Sequence, residues 1–282
     1  MQPLILSFFD TATNTATHVV HAGPGSACAI IDPVLDYEAS SGRTKTTNAD
    51  TVAEAVRELG LKVEWLLETH VHADHLSAAP YLKQKMGGTL GIGAEVTVVQ
   101  ATFGALLNQP VAGQPFERLF GDGERFRIGA LEAEVIATPG HTPACVCYRV
   151  GDAVFVGDTM FMPDYGTARC DFPGGDARTL FRSIRKILAM PDETRLFLCH
   201  DYGTNGRPFA WETNVGEQRR NNPHVKDGMS EAEFVAMREA RDAKLDVPVL
   251  LWPSVQVNMN AGNLPLPEAN GTAYIRIPLN RI

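Results

Sequence analysis

The sequence has little that would direct the protein to a membrane or to nucleic acid. No apolar run approaches the ~20 residues that a membrane-spanning helix needs, and no basic segment precedes the first apolar run, so we predict no secretory signal. Its 25 lysines and arginines are outnumbered by 33 acidic residues. The longest basic cluster is Arg219-Arg220. Because phosphate binding needs clustered positive charge, we expect no nucleic-acid partner and no membrane partner.

The sequence also lacks a regular cysteine framework. There are 5 cysteines, an odd number, and their spacing is irregular. A disulfide-stabilised secreted protein has an even and regularly spaced set, whereas scattered thiols are typical of a reducing compartment. We therefore expect a cytoplasmic protein. The cysteines are Cys28, Cys145, Cys147, Cys170 and Cys199.

Strand-like and helix-like segments alternate along the chain, which predicts the α/β fold class. We interpret residues 1–282 as a single domain, with a C-terminal extension from about residue 216 packed on it. The run over 37–48 is rich in Ser, Thr and Gly and predicts a loop.

Two further elements are predicted in the C-terminal extension. Ser230 and Glu233 have the spacing of a capping box, which predicts a helix over 230–244. Alternating apolar residues near the end of the chain predict a strand over 273–278.

Unusual polar residues follow four of the predicted strands. The strongest signal is Thr69-His70-Val71-His72-Ala73-Asp74-His75, which places three imidazoles and a carboxylate in one tight loop. Open sheets carry their sites at strand ends, and imidazole and carboxylate are ligands of borderline divalent metals. The alternative is a solvated His/Asp loop. Metal binding is favoured because His141, Asp158 and His200 also lie at predicted strand ends.

Together these segments resemble the metallo-β-lactamase superfamily, which implies an αββα sandwich with the metal site at one edge. Four segments together are similar to the persulfide dioxygenases, also called sulfur dioxygenases, the group of the ethylmalonic encephalopathy protein. They are 69–75, 138–143, 169–172 and 200–202. The segment 165–175 resembles the bacterial β-lactamase-like hydrolase branch of that group.

The resemblance implies that His70, His141 and Asp158 hold one Fe(II) as a facial triad. The implied activity is that of a persulfide dioxygenase, which oxidises glutathione persulfide with O2 and water to sulfite and glutathione. Four more residues would then either orient the metal ligands from behind or hold a second metal. They are His72, Asp74, His75 and His200.

The resemblance also implies substrate contacts. Arg169 is expected on the glutathione carboxylate. Tyr202, which follows His200, either donates a hydrogen bond beside the metal, as a catalytic residue together with His200, or is a tyrosine packed in the core. Arg219 lies in a segment that resembles the family's Glu-Arg-x-x-Asn-Pro. Where mammalian members carry an arginine after that proline, this chain has His224. Family members are often dimers, so we expect a homodimer.

Two other functions stay open. A glyoxalase II-like hydrolase would use the same fold and a zinc pair to cleave glutathione thioesters. A non-catalytic metal- or sulfide-binding protein would use the same ligands without turnover. Metal analysis and O2 uptake separate the first from the dioxygenase, and turnover of any substrate excludes the second.

Overall fold

The computed structural model describes residues 2–109, 111 and 114–281. Its helices are Thr47–Glu58 (α1), Ala79–Met86 (α2), Val96–Leu106 (α3), Ala177–Leu188 (α4), Val215–Asn221 (α5), Glu231–Asp242 (α6) and Leu251–Asn258 (α7). Among the described residues, no helix is long and apolar enough to cross a bilayer. The strands are Leu4–Asp10 (β1), Thr15–His21 (β2), Ala27–Ile31 (β3), Val34–Glu38 (β4), Arg43–Lys45 (β5), Lys62–Leu67 (β6), Leu76–Ser77 (β7), Thr89–Gly93 (β8), Arg118–Phe120 (β9), Arg125–Ile128 (β10), Leu131–Ala137 (β11), Val146–Val150 (β12), Ala153–Phe155 (β13), Arg195–Phe197 (β14) and Glu212–Asn214 (β15).

Two large sheets form the centre of the molecule. In the described part of the chain, one has the order β1-β2-β3-β6-β8-β9 and the other β10-β11-β12-β13-β14-β15. Strands β3, β6, β8 and β9 run parallel, and β13 runs parallel to β14. With helices outside both sheets, this arrangement confirms the expected α/β class and αββα sandwich.

Apolar side chains from both sheets pack into one layer between them. Ile31 and Leu67 of the first sheet belong to the same buried cluster as Tyr148, Phe155 and Phe197 of the second. All five side chains are 3% exposed or less. This interdigitated layer holds the two sheets together, because burying large apolar side chains provides most of the driving force for folding.

The outer helices cover the remaining apolar faces. In α4, Leu180, Ile184 and Ile187 recur at helical spacing and are fully buried. Helix α6 packs beside α4 through Phe234, whose ring centroid lies 5.3 Å from that of Phe181. The Ser230 capping box of α6 is present as predicted.

Two predictions of local structure are wrong. The stretch predicted as a loop over 37–48 contains a hairpin of β4 and β5, whose solvent-exposed strand has the composition of a loop. The tail predicted as a strand over 273–278 is not a strand. The side-chain amide of Gln256 takes the place of a strand partner, accepting from the Arg276 N–H at 2.9 Å and donating to the Arg276 carbonyl at 2.7 Å.

The buried imidazole of His18 in β2 makes the stability of the fold depend on pH. Burial lowers the pKa of His18 from 6.5 to about 4, although the Leu198 carbonyl and Asp32 favour its charged form. The hydrogen-bond network assigns a neutral ring, with Nε2–H donating to the Leu198 carbonyl at 3.0 Å and Nδ1 accepting from Ser7 Oγ at 2.8 Å. Only the unfolded chain therefore takes up this proton near pH 6.5.

The resulting stabilisation is present above pH 6.5 and is lost as the pH falls towards 4. It amounts to at most about 3 kcal/mol. We expect the free energy of unfolding in urea to fall more steeply between about pH 7 and pH 5 for the wild type than for His18→Gln, which carries no such proton. If the free energy of unfolding fell equally steeply with pH in both proteins, His18 would not be the source of this pH dependence.

Candidate metal centre

The polar residues singled out by the sequence meet at one edge of the sandwich. His70 follows β6, His141 follows β11, Asp158 follows β13 and His200 follows β14. In the second sheet, β11, β13 and β14 run in the same direction, because β12 is antiparallel to both β11 and β13. Their carboxyl ends therefore open at a common edge, as the sequence predicted.

The loop that follows β6 is held by a buried carboxylate. Asp32 accepts from the Thr69 N–H at 2.8 Å and from the Thr69 hydroxyl at 2.9 Å, and it lies 2.9 Å from His72 Nε2. The Asp32 backbone has φ +51°, a left-handed conformation that aspartate tolerates better than most residues. Asp32 therefore fixes the start of the histidine loop.

A second brace reaches the same loop from the C-terminal extension. The Asn258 amide in α7 donates to the carbonyls of His72 at 2.9 Å and His75 at 2.7 Å. Its oxygen accepts from the Ser77 N–H at 2.8 Å. Three hydrogen bonds thus tie the histidine loop to a helix about 180 residues away.

Two imidazoles and one carboxylate form the first group of donors. The Nε2 atoms of His70 and His141 lie 3.8 and 3.7 Å from Asp158 Oδ2. The His141 Nδ1–H donates to the Arg169 carbonyl at 2.7 Å, which leaves Nε2 as the free lone pair of that ring. Burial and the neighbouring imidazoles lower the pKa of His70, which keeps the ring neutral and able to bind a metal.

Four residues form a second group, with donor atoms within 4.8 Å of one another. They are His72, Asp74, His75 and His200. The His200 Nε2 lies 3.4 Å from Asp74 Oδ2 and 3.3 Å from Asp158 Oδ1. Asp158 therefore stands between the two groups, and this edge of the sheet has enough donors for either one metal or two.

His72 contacts two buried carboxylates that lie outside both groups of donors. Its Nε2 lies 2.9 Å from Asp32 Oδ1 and 3.3 Å from Glu68 Oε2, and all three side chains are buried. Burial disfavours the charged ring, but the carboxylates outweigh that effect and raise the pKa of His72 well above its usual value. The contacts at Nε2 fix the orientation of the His72 ring and leave its buried Nδ1 without a hydrogen-bond partner in the described part of the chain.

Unpaired buried atoms show that the site fits a metal ion. Buried polar atoms normally have a hydrogen-bond partner. In the described part of the chain, the Nε2 atoms of His70, His75 and His200 and the Oδ1 of Asp158 have none. Imidazole nitrogens and a carboxylate oxygen suit a divalent ion of the Fe or Zn type. The donors match both iron and zinc, so their chemistry alone leaves the identity of the metal open.

The metal centre opens into a cavity of about 260 Å³, which we call the site cavity. Asp74, His141, Asp158 and His200 line its floor. One wall is aromatic, with the Tyr165 and Tyr202 rings stacked at 4.3 Å. This volume suits a small organic ligand whose reactive atom reaches the metal ligands.

The protein-family comparison agrees with this architecture. The family model described as metallo-beta-lactamase superfamily matches residues 11–200. The chain belongs to the metallo-beta-lactamase superfamily. Several relatives of this superfamily member carry hydrolase names. It is 55% identical over 289 residues to a "Probable metallo-hydrolase" of Burkholderia pseudomallei, covering 98% of each chain. It is 52% identical over 281 residues to a "Beta-lactamase hydrolase-like protein" of Agrobacterium fabrum, spanning 99% of this chain but 65% of that relative.

Other relatives have names that point to two different reactions. The chain is 51% identical over 259 residues to "Glyoxylase B2" of Dictyostelium discoideum, covering 90% of this chain and 89% of the relative. It is 28% identical over 262 residues to "Persulfide dioxygenase ETHE1, mitochondrial" of Homo sapiens, covering 92% and 89%. The solved structure of ETHE1 from Myxococcus xanthus superposes with a TM-score of 0.75 at 28% identity, covering 92% of this chain and all of that one. The comparisons thus support the superfamily and leave the specific activity to be tested.

The predicted substrate residues Arg169 and Tyr202 both line the site cavity of this metallo-β-lactamase relative. The Arg169 guanidinium pairs with the Asp171 carboxylate through two bonds of 2.6 Å and donates to the Asp246 carbonyl at 2.8 Å. Two of its five N–H groups therefore have no partner among the described residues. Arg169 is held in place at the cavity wall and retains donors for a ligand.

The structure does not bring Arg219 to the cavity, so its predicted substrate contact is wrong. Its guanidinium lies on the solvent side of α5, 3.0 Å from Asp227 and 3.1 Å from Asp192. The opposite face of α5 supports the cavity instead. Gln218 donates to the Phe161 carbonyl at 2.8 Å and Asn222 to the Gly166 carbonyl at 3.0 Å. The segment that resembles the family motif therefore positions a cavity loop.

His224, the departure from the mammalian pattern, belongs to the same support. Its Nδ1 accepts from the Thr167 N–H at 3.0 Å. Burial lowers the pKa of His224 to about 4, and Arg241 and Arg238 act in the same direction. A neutral imidazole at this position therefore holds the loop that carries Thr167, and does not supply a positive charge to the ligand.

Helix α6 supplies two cavity residues that the sequence reading missed. Arg238 and Arg241 both line the site cavity. Arg238 is buried and pairs with Asp242 at 2.6 Å, whereas Arg241 is exposed and has no carboxylate partner in the described part of the chain. The helix was predicted, but its spacing alone does not tell which of its charged faces turns towards the cavity.

Proposed function

We propose that this chain is a persulfide dioxygenase. It would convert glutathione persulfide, O2 and water to glutathione and sulfurous acid, which ionises to sulfite. The terminal sulfur is oxidised by four electrons and O2 is reduced by four, so no other oxidant is needed. The observation that supports this reaction best is the facial group of His70, His141 and Asp158, whose donor atoms lie within 4.8 Å of one another.

The side chains around the cavity have separate roles in this proposal. His70, His141 and Asp158 would hold one Fe(II), which supplies redox chemistry that a d¹⁰ zinc ion lacks. Arg169 and Arg241 would bind the carboxylates of the glutathione peptide, because a guanidinium offers paired N–H donors to that group. The Tyr202 hydroxyl would donate a hydrogen bond to the substrate and, with His200, complete the polar side of the cavity.

We also propose where this protein is found and how it assembles. The compartment would be the cytoplasm, which is consistent with five cysteines that are all free thiols. The assembly would be a homodimer, and no nucleic acid would bind. A non-catalytic metal- or sulfide-binding role is disfavoured by a substrate-sized cavity over the donors, and any turnover would exclude it.

A glyoxalase II-like hydrolase is the second candidate. The four donors His72, Asp74, His75 and His200 lie next to Asp158 and are sufficient for a second metal. The 51% identity to "Glyoxylase B2" favours the same reading. With a zinc pair the site would direct water onto the carbonyl carbon of a glutathione thioester.

One experiment compares the two reactions directly. The metal-free protein is loaded anaerobically with Fe(II) or with Zn(II), and each form is offered glutathione persulfide and a glutathione thioester. We expect O2 consumption only for the iron form with the persulfide, and about one iron per chain by elemental analysis. Thioester cleavage by the zinc form, with no O2 uptake by the iron form, would favour the hydrolase.

The role of Arg241 is tested by removing its charge. Loss of one charge-assisted hydrogen bond to the peptide predicts that Arg241→Ala raises the KM for glutathione persulfide about 10-fold, with a smaller change in kcat. Arg169→Ala should act in the same direction. Arg178→Ala is the matched control, since this exposed arginine pairs with Glu231 outside the cavity. An unchanged KM for Arg241→Ala would remove this residue from the substrate site.

A further inference from the structure

A second, smaller cavity lies beside the metal centre, on the side of α3 and α7. We call it the rear cavity, and its volume is about 10 Å³. Its lining is mostly aliphatic and aromatic. It includes Val71, Val99, Phe103, Leu251 and Val255, all of which are 5% exposed or less.

The rear cavity is continuous with the surroundings of the metal centre. Ala73, His141 and Phe172 line both this cavity and the site cavity. Ala73 lies within the histidine loop, and His141 belongs to the facial group of donors. Pro173, which is exposed to solvent, also lines the rear cavity. A solvent-exposed residue and a donor of the metal centre, His141, therefore line the same cavity.

Apart from His141 Nε2, the side-chain polar atoms that line the rear cavity have partners. Thr142 contacts Cys145 Sγ through its N–H at 3.3 Å and its hydroxyl at 3.1 Å. The His141 Nδ1–H is bonded to the Arg169 carbonyl. A buried water needs two to four polar partners, and apolar cavities of this kind stay dry and take up apolar guests. The chemistry of the lining therefore selects a small apolar molecule over water.

We propose that the rear cavity is the entry route and waiting site for O2. This inference rests on the proposed function, because O2 is a reactant only in the dioxygenase reaction. The peptide of the persulfide fills the site cavity and blocks that approach to the metal, so the second reactant needs its own path. The volume of the rear cavity is close to the space that one water-sized molecule needs, and His141 is part of its lining.

Xenon binding tests the cavity without depending on activity. Crystals of the iron-loaded wild type are pressurised with xenon, and the anomalous signal is measured. We expect one xenon atom between Val71, Phe103 and Val255. The signal should disappear in Val255→Phe, whose ring fills the space. Val257→Phe is the matched control, because Val257 is buried in the same helix but does not line the cavity.

Oxygen kinetics test the function of the cavity. We expect Val255→Phe to raise the KM for O2 about five-fold or more, while the KM for glutathione persulfide changes little. Val257→Phe should keep the wild-type KM for O2. If Val255→Phe does not fold, as judged by circular dichroism, Val99→Ile narrows the same cavity with one added methyl group.

The possible results separate the two proposals. Loss of xenon together with a raised KM for O2 supports the route. Absence of xenon in the wild type, or an unchanged KM for O2 in a variant that excludes xenon, overturns the route and leaves the dioxygenase intact. Absence of any O2 uptake by the iron-loaded wild type overturns the proposed function, and the assignment of O2 to the cavity with it.

Discussion

Replacing His141 by alanine should abolish both iron retention and oxygen consumption. The variant removes one of two imidazoles from the facial group and leaves His70 and Asp158 as the remaining donors. Loss of an outer partner typically costs 10- to 100-fold, so loss of a direct ligand should lower O2 uptake at least about 100-fold. Iron per chain after desalting and O2 uptake with glutathione persulfide are the measurements.

The control for this variant is another buried histidine. His21 is 3% exposed and lies at the end of β2, outside both groups of donors. His21→Ala should retain iron and lose no more activity than its loss of stability explains. If His141→Ala kept a full complement of iron, His141 would not be a metal ligand.

Replacing Asp32 by alanine should cause the largest loss of stability in the metal-free protein. The change leaves His72 and the N–H and hydroxyl groups of Thr69 buried without their acceptor. Breaking a buried charged pair costs roughly 3–5 kcal/mol, and an alanine at φ +51° adds backbone strain. The free energy of unfolding in urea, measured without metal, gives the size of the loss.

Two further variants separate the contributions of Asp32. Asp32→Asn keeps the volume and tolerates the left-handed backbone, so it should cost less than the alanine variant and mainly weaken the hold on His72. Asp152→Ala removes a partly exposed carboxylate that pairs with Arg195 at 3.0 Å, and should cost about 0–1 kcal/mol. A loss for Asp32→Ala no larger than that for Asp152→Ala would show that the histidine loop does not depend on this brace.

The donor residues of the candidate metal centre were predictable because their signal is local. His70, His72, Asp74 and His75 lie in one loop, and the other donors each follow a strand. The direction of the strands then brings them to one edge of the sheet. Helix α6 was also predictable, because its capping box lies within a few residues of its start.

The residues that support the site were not predictable, because their partners lie far along the chain. Asn258 braces the histidine loop from a helix that the sequence reading missed. Arg241 reaches the cavity because α6 packs beside α4, and Arg219 misses it because the Gln218 face of α5 turns inwards. The direction of a side chain on a charged helix depends on the element that the helix packs against. The spacing of charged residues in the sequence does not identify that element.

The predicted tail strand failed for a related reason. Alternating apolar residues over 273–278 match a strand, but a strand forms only where another strand supplies main-chain partners. Here Gln256 bonds both main-chain groups of Arg276 through its side chain, and Ile277 remains 63% exposed.

The stoichiometry of the iron-loaded protein tests the dioxygenase most directly. O2 consumed and sulfite released are measured together against a known amount of glutathione persulfide. The proposed reaction predicts one O2 and one sulfite for each persulfide. Persulfide that stays unchanged while O2 is not consumed, in a protein that cleaves a glutathione thioester with two bound zinc ions, would contradict it.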